Sequence, residues 1–191
     1  MKTINSCEIC NNTDLTSVLD LGSHPLCDDL VQIGSDRICK EYPIEILYCK
    51  DCNSAHQKYQ VPKEELFQPD YHYRARMTGS VLTGMSDLVE SCYKRFGDLE
   101  GKLVLDIGCN DGTLLRNYQN KELRAVGIDP AKNMFEFSKN SGAEIIVDYF
   151  NSKLFIHKFH DEKAKIITSI SMFYDLENPN EFVSDISKIL H

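Results

Sequence analysis

A doubly wound α/β sheet behind a small cysteine-rich domain is the architecture this sequence predicts. Two observations carry it. Six of the eight cysteines fall before residue 70. From Lys102 onward, short apolar runs alternate with helical stretches, the rhythm of a parallel sheet.

The 191 residues suffice for one small and one medium domain, and the sequence predicts a first domain over 1–68, a linker and helix over 69–100, and a second domain over 101–191. In the first part, extended segments are expected at 44–48 and 54–60, punctuated by turn clusters such as Asn11-Asn12 and Gly22-Ser23. A bridging segment, Pro69-Asp70-Tyr71-His72-Tyr73-Arg74, leads to a helix over 80–96. Val81, Met85, Leu88, Cys92 and Phe96 recur there at three- and four-residue spacing and so share one face. Leu103-Val104-Leu105-Asp106-Ile107 reads as a strand buried on both sides. Further strands are expected over 124–128, 144–147 and 165–170, with helices over 113–119, 131–140 and 152–159 between them. A last helix opens with Asn178 as N-cap and Pro179 at the first helical position, burying Phe182, Val183, Ile186, Ile189 and Leu190. No internal repeat is present.

Composition narrows the function. At 42% hydrophobic and 26% charged the chain is ordinary for a globular protein. It holds no apolar run of about twenty residues to span a membrane, and MKTINSCEIC has no signal-peptide core, which points to the cytoplasm. The net charge is −8, with Lys and Arg scattered among acids, so a small-molecule substrate is expected rather than nucleic acid.

Cys7-Glu8-Ile9-Cys10 and Cys49-Lys50-Asp51-Cys52 are two Cys-x-x-Cys pairs. Two intervening residues let both sulfurs reach one ion, and two pairs complete a tetrahedral thiolate site suited to zinc. The 38 residues between the pairs exceed the spacing of a compact ribbon, which leaves Cys27, Cys39, His24 and His56 as rival ligands and four unrelated thiols as the alternative. A redox role is weaker, since neither pair sits on a strand-helix junction of thioredoxin type. The metal is expected to be structural, because a small segment with little apolar core needs a staple.

The second motif joins the first buried strand to its helix: Asp106-Ile107-Gly108-Cys109-Asn110-Asp111-Gly112-Thr113. Its glycines allow a tight turn and close approach to a ligand. Asp129, in Gly127-Ile128-Asp129-Pro130, follows Gly108 by 21 residues, the spacing of a carboxylate that grips ribose hydroxyls. The middle glycine of a dinucleotide fingerprint is missing, and Asp106 and Asp111 would repel a pyrophosphate. S-adenosylmethionine has no phosphate and carries an ammonium and a sulfonium, so acids around the turn favour it over NAD.

Taken together, the two cysteine pairs, Tyr71-His72-Tyr73-Arg74, the Asp-Ile-Gly-Cys-Asn-Asp-Gly-Thr turn, Gly127-Ile128-Asp129-Pro130, Val147-Asp148-Tyr149-Phe150 and Ser171-Met172-Phe173-Tyr174-Asp175-Leu176 resemble sugar C-methyltransferases with an N-terminal zinc-binding domain. Enzymes that methylate C3 of nucleotide-linked 4-keto-deoxysugars typify that group. The resemblance implies a Rossmann-like class I methyltransferase sheet. It places the methionine moiety on the turn of Asp106, Gly108, Asn110, Asp111 and Gly112, the ribose on Asp129 beside Pro130, and the adenine between Asp148 and Tyr149. Ser171 and the aromatic residues after it would line the pocket near the methyl group. Tyr73, or Tyr71, would reach the sugar; a tyrosine hydroxyl, with a pKa near 10, suits an oxyanion donor better than a base. Packing roles for these tyrosines, and for Phe173 and Tyr174, are the alternative.

Relatives continue through further strands and a catalytic segment bearing histidine and glutamate. Four strands are counted here before His191, so the sequence reads as the N-terminal part of such an enzyme, with an incomplete sheet. It is expected to bind its cofactor without turnover and to self-associate through an open strand edge. Competing readings are a methyltransferase for another small molecule, a non-catalytic module that binds S-adenosylmethionine or a partner chain, and, more weakly, an RNA methyltransferase.

Overall fold

The computed structural model describes residues 1–67, 71–119 and 121–191. Pro69 and Asp70, with the boundary expected beside them, lie outside the described residues. The chain forms two compact units, Met1–Gln68 with Tyr174–Glu181, and Pro69–Phe173 with Phe182–His191.

The first unit is built from two small antiparallel sheets. Strand β1 (Lys2–Thr3) pairs with β5 (Tyr59–Gln60), while β2 (Leu15–Pro25), β3 (Glu41–Cys49) and β4 (Ser54–Gln57) form a three-stranded sheet in that order. The turn expected at Gly22-Ser23 lies inside β2. The register shifts between Asp20 and Ser23, Gly22 adopts a φ of +74°, and the Asp20 carboxylate accepts its N–H, so the glycine makes a bulge rather than a strand end. A short helix α1 (Lys63–Leu66) follows. The later segment Tyr174–Glu181 joins this unit: the Lys63 N–H donates to Glu177, and Asn180 Nδ2 donates to the carbonyls of Glu8 and Ile9.

In the second unit, α2 (Gly79–Phe96) precedes a four-stranded parallel sheet of β6 (Leu103–Ile107), β7 (Arg124–Ile128), β8 (Glu144–Ile146) and β9 (Ile166–Ser169). The spatial order is β8-β7-β6-β9. Helix α3 (Thr113–Gln119) connects β6 to β7, and α5 (Ser152–Phe159) connects β8 to β9. Between β7 and β8 the expected single helix is broken into a 3-10 turn (Lys132–Met134), a four-residue α4 (Phe135–Ser138) and a second 3-10 turn (Lys139–Ser141), which ends on Gly142 in the left-handed region. Every residue of β6 is buried, as expected of a central strand with both faces covered.

The core gathers Val89, Leu99, Val104, Cys109, Leu114, Leu115, Tyr118, Leu123, Ala125 and Ile166, with Met85, Leu88, Cys92 and Tyr93 of α2 packed against it. The α2 face therefore runs as expected except at its end, where Phe96 is exposed. In α6 (Pro179–Ile189) the Asn178 side chain accepts the Glu181 N–H, the cap foreseen from the Asn-Pro pair. Its buried face is Phe182, Asp185 and Ile189, while Val183 and Leu190 are exposed. Residue Ala164, ahead of β9, bridges in parallel to Leu190.

Candidate cofactor and metal sites

In the first unit, the sulfurs of Cys7, Cys10, Cys49 and Cys52 lie within 4.8 Å of one another. The closest pairs are Cys7–Cys52 at 3.5 Å and Cys10–Cys49 at 3.6 Å. Four thiolates at a Zn–S distance of about 2.3 Å stand about 3.8 Å apart on a tetrahedron, so the cluster fits zinc with little adjustment. Among the described residues this is the one such group of cysteine, histidine and acidic side chains. The rivals are elsewhere. Cys27 is exposed, the Cys39 thiol donates to the Asp29 carbonyl, His24 is hydrogen-bonded to the Leu21 carbonyl, and His56 lies beside Glu8.

The thiols do not ionise alike. Hydrogen bonding from Ser54, acting against desolvation, holds Cys52 down to about 6. Although the Asn12 backbone N–H favours the Cys10 thiolate, desolvation and the neighbouring sulfurs push Cys10 up to about 12. Sulfurs this close cannot all carry charge without a cation between them. Each knuckle turns on an asparagine directly after its second cysteine, Asn11 at φ +64° and Asn53 at φ +57°. Asparagine tolerates the left-handed region better than most residues, and the shared Cys-x-x-Cys-Asn pattern is a signal in the sequence that reading the cysteines alone passes over.

In the second unit, the strand ends align. Ile107 is in register with Ile128 and with Ser169, and Ile128 with Ile146. The residues that follow each strand, Gly108, Asp129, Val147 and Ile170, therefore share one edge. The chain reverses its direction of travel across the sheet between β6 and β9, so this edge holds a topological switch point, where open α/β sheets bind ligands.

The glycine turn is packed closely against its own chain. Gly108 and Gly112 have φ of +73° and +74°; a Cβ on Gly108 would stand 3.2 Å from Met172, and one on Gly112 3.0–3.1 Å from Ser141 and Ser138. Asp129 is half-buried, accepting the Asn110 N–H at 2.8 Å and the Ala131 N–H at 2.9 Å. Burial raises its pKa, and these two backbone bonds oppose the rise. Asp106 is fully enclosed at the end of β6, where burial pushes it up to about 7 against the Thr168 hydroxyl, 2.7 Å away, with the charge of Asp129 adding to the rise. Burial raises the Cys109 thiol as well; its sulfur fills the space that a Cβ on Gly127 would occupy, at 2.6 Å.

Asn110 and Asp111 point a different way from the simple expectation. Asn110 Nδ2 donates to the Tyr73 carbonyl at 2.9 Å, and its Oδ1 accepts the Ala75 N–H at 3.1 Å. Asp111 is buried, accepting from the Thr113 N–H and hydroxyl on one oxygen and from the Arg76 N–H on the other. Asn133, which the sequence did not single out, donates to the Tyr71 carbonyl at 2.8 Å. The backbone carrying Tyr71 and Tyr73 is thus tied to the turn, and Tyr73 is exposed. Asp148 is exposed and accepts the N–H of the neighbouring Tyr149. Pro130 is half-buried beside Asp129. Ser171 is exposed with φ +55°, Phe173 lies edge-on to Phe182, and Tyr174 is exposed.

A cofactor with hydroxyls and positive charge fits this edge. Two acids, Asp106 and Asp129, flank the turn, and the buried Ser169 hydroxyl and Asn133 Oδ1 have no hydrogen-bond partner. Ser169 closes β9, and an orphaned polar atom at a strand end suits a ligand with its own donors.

Two family models match separate parts of the chain. Residues 7–67 match the family described as "Putative zinc binding domain", and residues 105–191 match "Methyltransferase domain". Residues 7–67 are thus similar to a zinc-binding domain, and residues 105–191 to a methyltransferase domain. It is 28% identical over 158 residues to the C-methyltransferase NovU of Streptomyces niveus, covering 81% of this chain. The chain spans 37% of that relative's length. Among solved structures it is similar to the plantazolicin methyltransferase BamL in complex with SAH and a triazolic desmethylPZN analog, with 23% identity, 61% of this chain and 44% of that one covered, and a TM-score of 0.48. The magnesium protoporphyrin IX methyltransferase of Synechocystis PCC 6803, with bound SAM, is similar at 15% identity over 57% and 54% of the two chains, with a TM-score of 0.47.

Proposed function

We propose that the chain is the cofactor-binding part of an S-adenosylmethionine-dependent methyltransferase acting on a small molecule, and that the acceptor is a carbon of a nucleotide-linked deoxysugar. The observation that carries this reading is the glycine turn at the switch point, flanked by Asp106 and Asp129 and free of a pyrophosphate cradle. Residues 1–68 serve as the zinc-binding domain, 69–100 as linker and helix, and 101–191 as the cofactor domain.

When bound, S-adenosylmethionine supplies an electrophilic methyl group. Asp129 has lone pairs left on both oxygens after its backbone bonds, and these accept the ribose hydroxyls. Asp148 and Tyr149 flank the adenine, and Ser171 follows β9 on the same edge. The carbon acceptor rests on the family resemblance and on the likeness to a C-methyltransferase. A 4-keto group acidifies the neighbouring C–H, a general base takes that proton, and Tyr73 donates a hydrogen bond to the enolate oxygen that forms.

Calorimetry tests the cofactor. S-adenosylmethionine or its demethylated product binds and NAD does not, and Asp129→Ala weakens binding by about 1–3 kcal/mol through loss of charge-assisted hydrogen bonds. Binding of NAD without S-adenosylmethionine would overturn the reading.

A further inference from the structure

We propose that Asn110 and Asp111 are positioning residues, whose side chains clamp the backbone of residues 71–76 across the glycine turn and so present Tyr73 at the cofactor edge. The last step rests on the reading of that turn as the cofactor cradle; the clamp itself does not.

Three features carry the inference. The first is directionality. Asn110 meets the segment with both ends of its amide, donating to the Tyr73 carbonyl and accepting from the Ala75 N–H. A side-chain amide that pairs with a carbonyl and an N–H two residues apart imitates a neighbouring strand, and it recognises backbone rather than any side chain. The second is burial. Asp111 has no exposed surface, and a carboxylate out of water needs several donors. Thr113 supplies two donors to one oxygen, and the Arg76 N–H reaches the other. Undocking the segment would remove that donor, so the acid itself favours the docked arrangement. The third is conformation. Asn110 sits at φ +49° while its own N–H donates to Asp129. The residue that holds the segment is therefore itself held by the acid assigned to the ribose. A ligand on Asp129 and the placement of Tyr73 meet in one residue.

The clamp separates two roles that the turn motif would otherwise merge. Gly108 and Gly112 take the positive φ of the tight turn and pack against Met172, Ser138 and Ser141, whereas the asparagine and aspartate between them bond to residues 71–76. The tyrosine-bearing segment is then a fixed part of the cofactor edge.

Amide exchange followed by NMR on the intact chain tests the clamp directly. The Ala75 and Arg76 amides, one on a buried residue and one on an exposed residue, are both protected. Exchange of both at the rate of an unstructured chain would overturn the clamp without any variant. Asn110→Asp keeps the acceptor, loses the donor and sets a carboxylate against the Tyr73 carbonyl. Tryptic cleavage after Arg74 and Arg76 then rises about tenfold, while cleavage after Lys132 and the zinc content stay unchanged. Unchanged cleavage at both arginines would sink the proposal. If all sites accelerate together the variant has unfolded, and the wild-type exchange result decides. Adding the demethylated cofactor product slows cleavage at the two arginines in the wild type and not in Asn110→Asp. Binding of that product with no change in wild-type cleavage removes the coupling to the cofactor. Failure of the product to bind at all counts against the cofactor reading and leaves the exchange result to decide the clamp.

Discussion

At the scale of single residues, Asp106 shows how a buried acid weakens the fold near neutral pH. Burial raises its pKa to about 7, so the folded chain holds a proton there that the unfolded chain gives up near pH 4. Between those values the folded state binds more protons, and stability from this group falls as pH rises through about 7. Asp106→Asn keeps an acceptor for Thr168 and removes the charge. The variant is expected to unfold at higher denaturant than the wild type at pH 8 and to lose that advantage near pH 5, as urea titrations at the two values would read. Equal gains at both would mean that the acid is not raised. The residue chemistry was only partly legible in the sequence. The tight turn at Gly108 and Gly112 and the four-cysteine cluster could be read because local backbone geometry and ligand spacing constrain them. The partners of Asn110 and Asp111 could not, because Ala75 and Arg76 lie 35 residues away and only the fold brings them near. Gly127 was visible only as a neighbour of Asp129, whereas the structure gives it a packing reason: Cys109 and Leu115 fill the space beside it.

At the scale of elements, strands with a buried face were legible, and the exposed β1 and β2 were not. All of β6 is buried and reads as an apolar run, but β2 is exposed along nearly its whole length and shows no alternation. In α6 the cap was read correctly, but its inward face includes Asp185, which no hydrophobic pattern would select. That carboxylate accepts the Ser152 N–H at 3.0 Å and the Ser152 hydroxyl at 2.7 Å, while Lys188 pairs with it at 2.8 Å. It thereby serves the first turn of α5 from another helix, beside the Asn151 cap that accepts the Leu154 N–H. Burial alone would raise this acid; Lys188 and Ser152 together hold it below the usual carboxylate range. Its stabilisation is therefore complete above about pH 4 and is lost as pH falls through the lowered value. Asp185→Ala leaves two buried donors unmet and should cost about 1–3 kcal/mol at pH 7, read by urea unfolding. Asp185→Asn should narrow the loss of stability between pH 4 and pH 2.

At the scale of the whole molecule, the two units are stabilised by different means. The second has a continuous apolar core around β6. In the first, the buried apolar side chains among the described residues are Ile4, Cys7, Tyr42, Leu47, Cys49 and Pro179, and two of these six belong to the four-cysteine cluster. So small a core does not offset the conformational entropy of ordering β1 through β5. The thiol chemistry points the same way, since the cluster resists full ionisation without a cation. Zinc bound to four thiolates supplies folding free energy outright in small domains. The expected result is one zinc per chain by elemental analysis, lost or greatly weakened in Cys49→Ser and Cys52→Ser. Chelation should abolish amide protection along β3 and β4 while protection along β6 and β7 persists. Calorimetry of the metal-loaded chain should then show a transition that chelator removes, and a second that it leaves in place. If Cys49→Ser and Cys52→Ser both retained full zinc, that pair would be removed from the site and the rival ligands would return. If chelation instead abolished protection in β6 and β7 as well, the second unit would depend on the first for its stability, and the separate core around β6 would not be sufficient by itself.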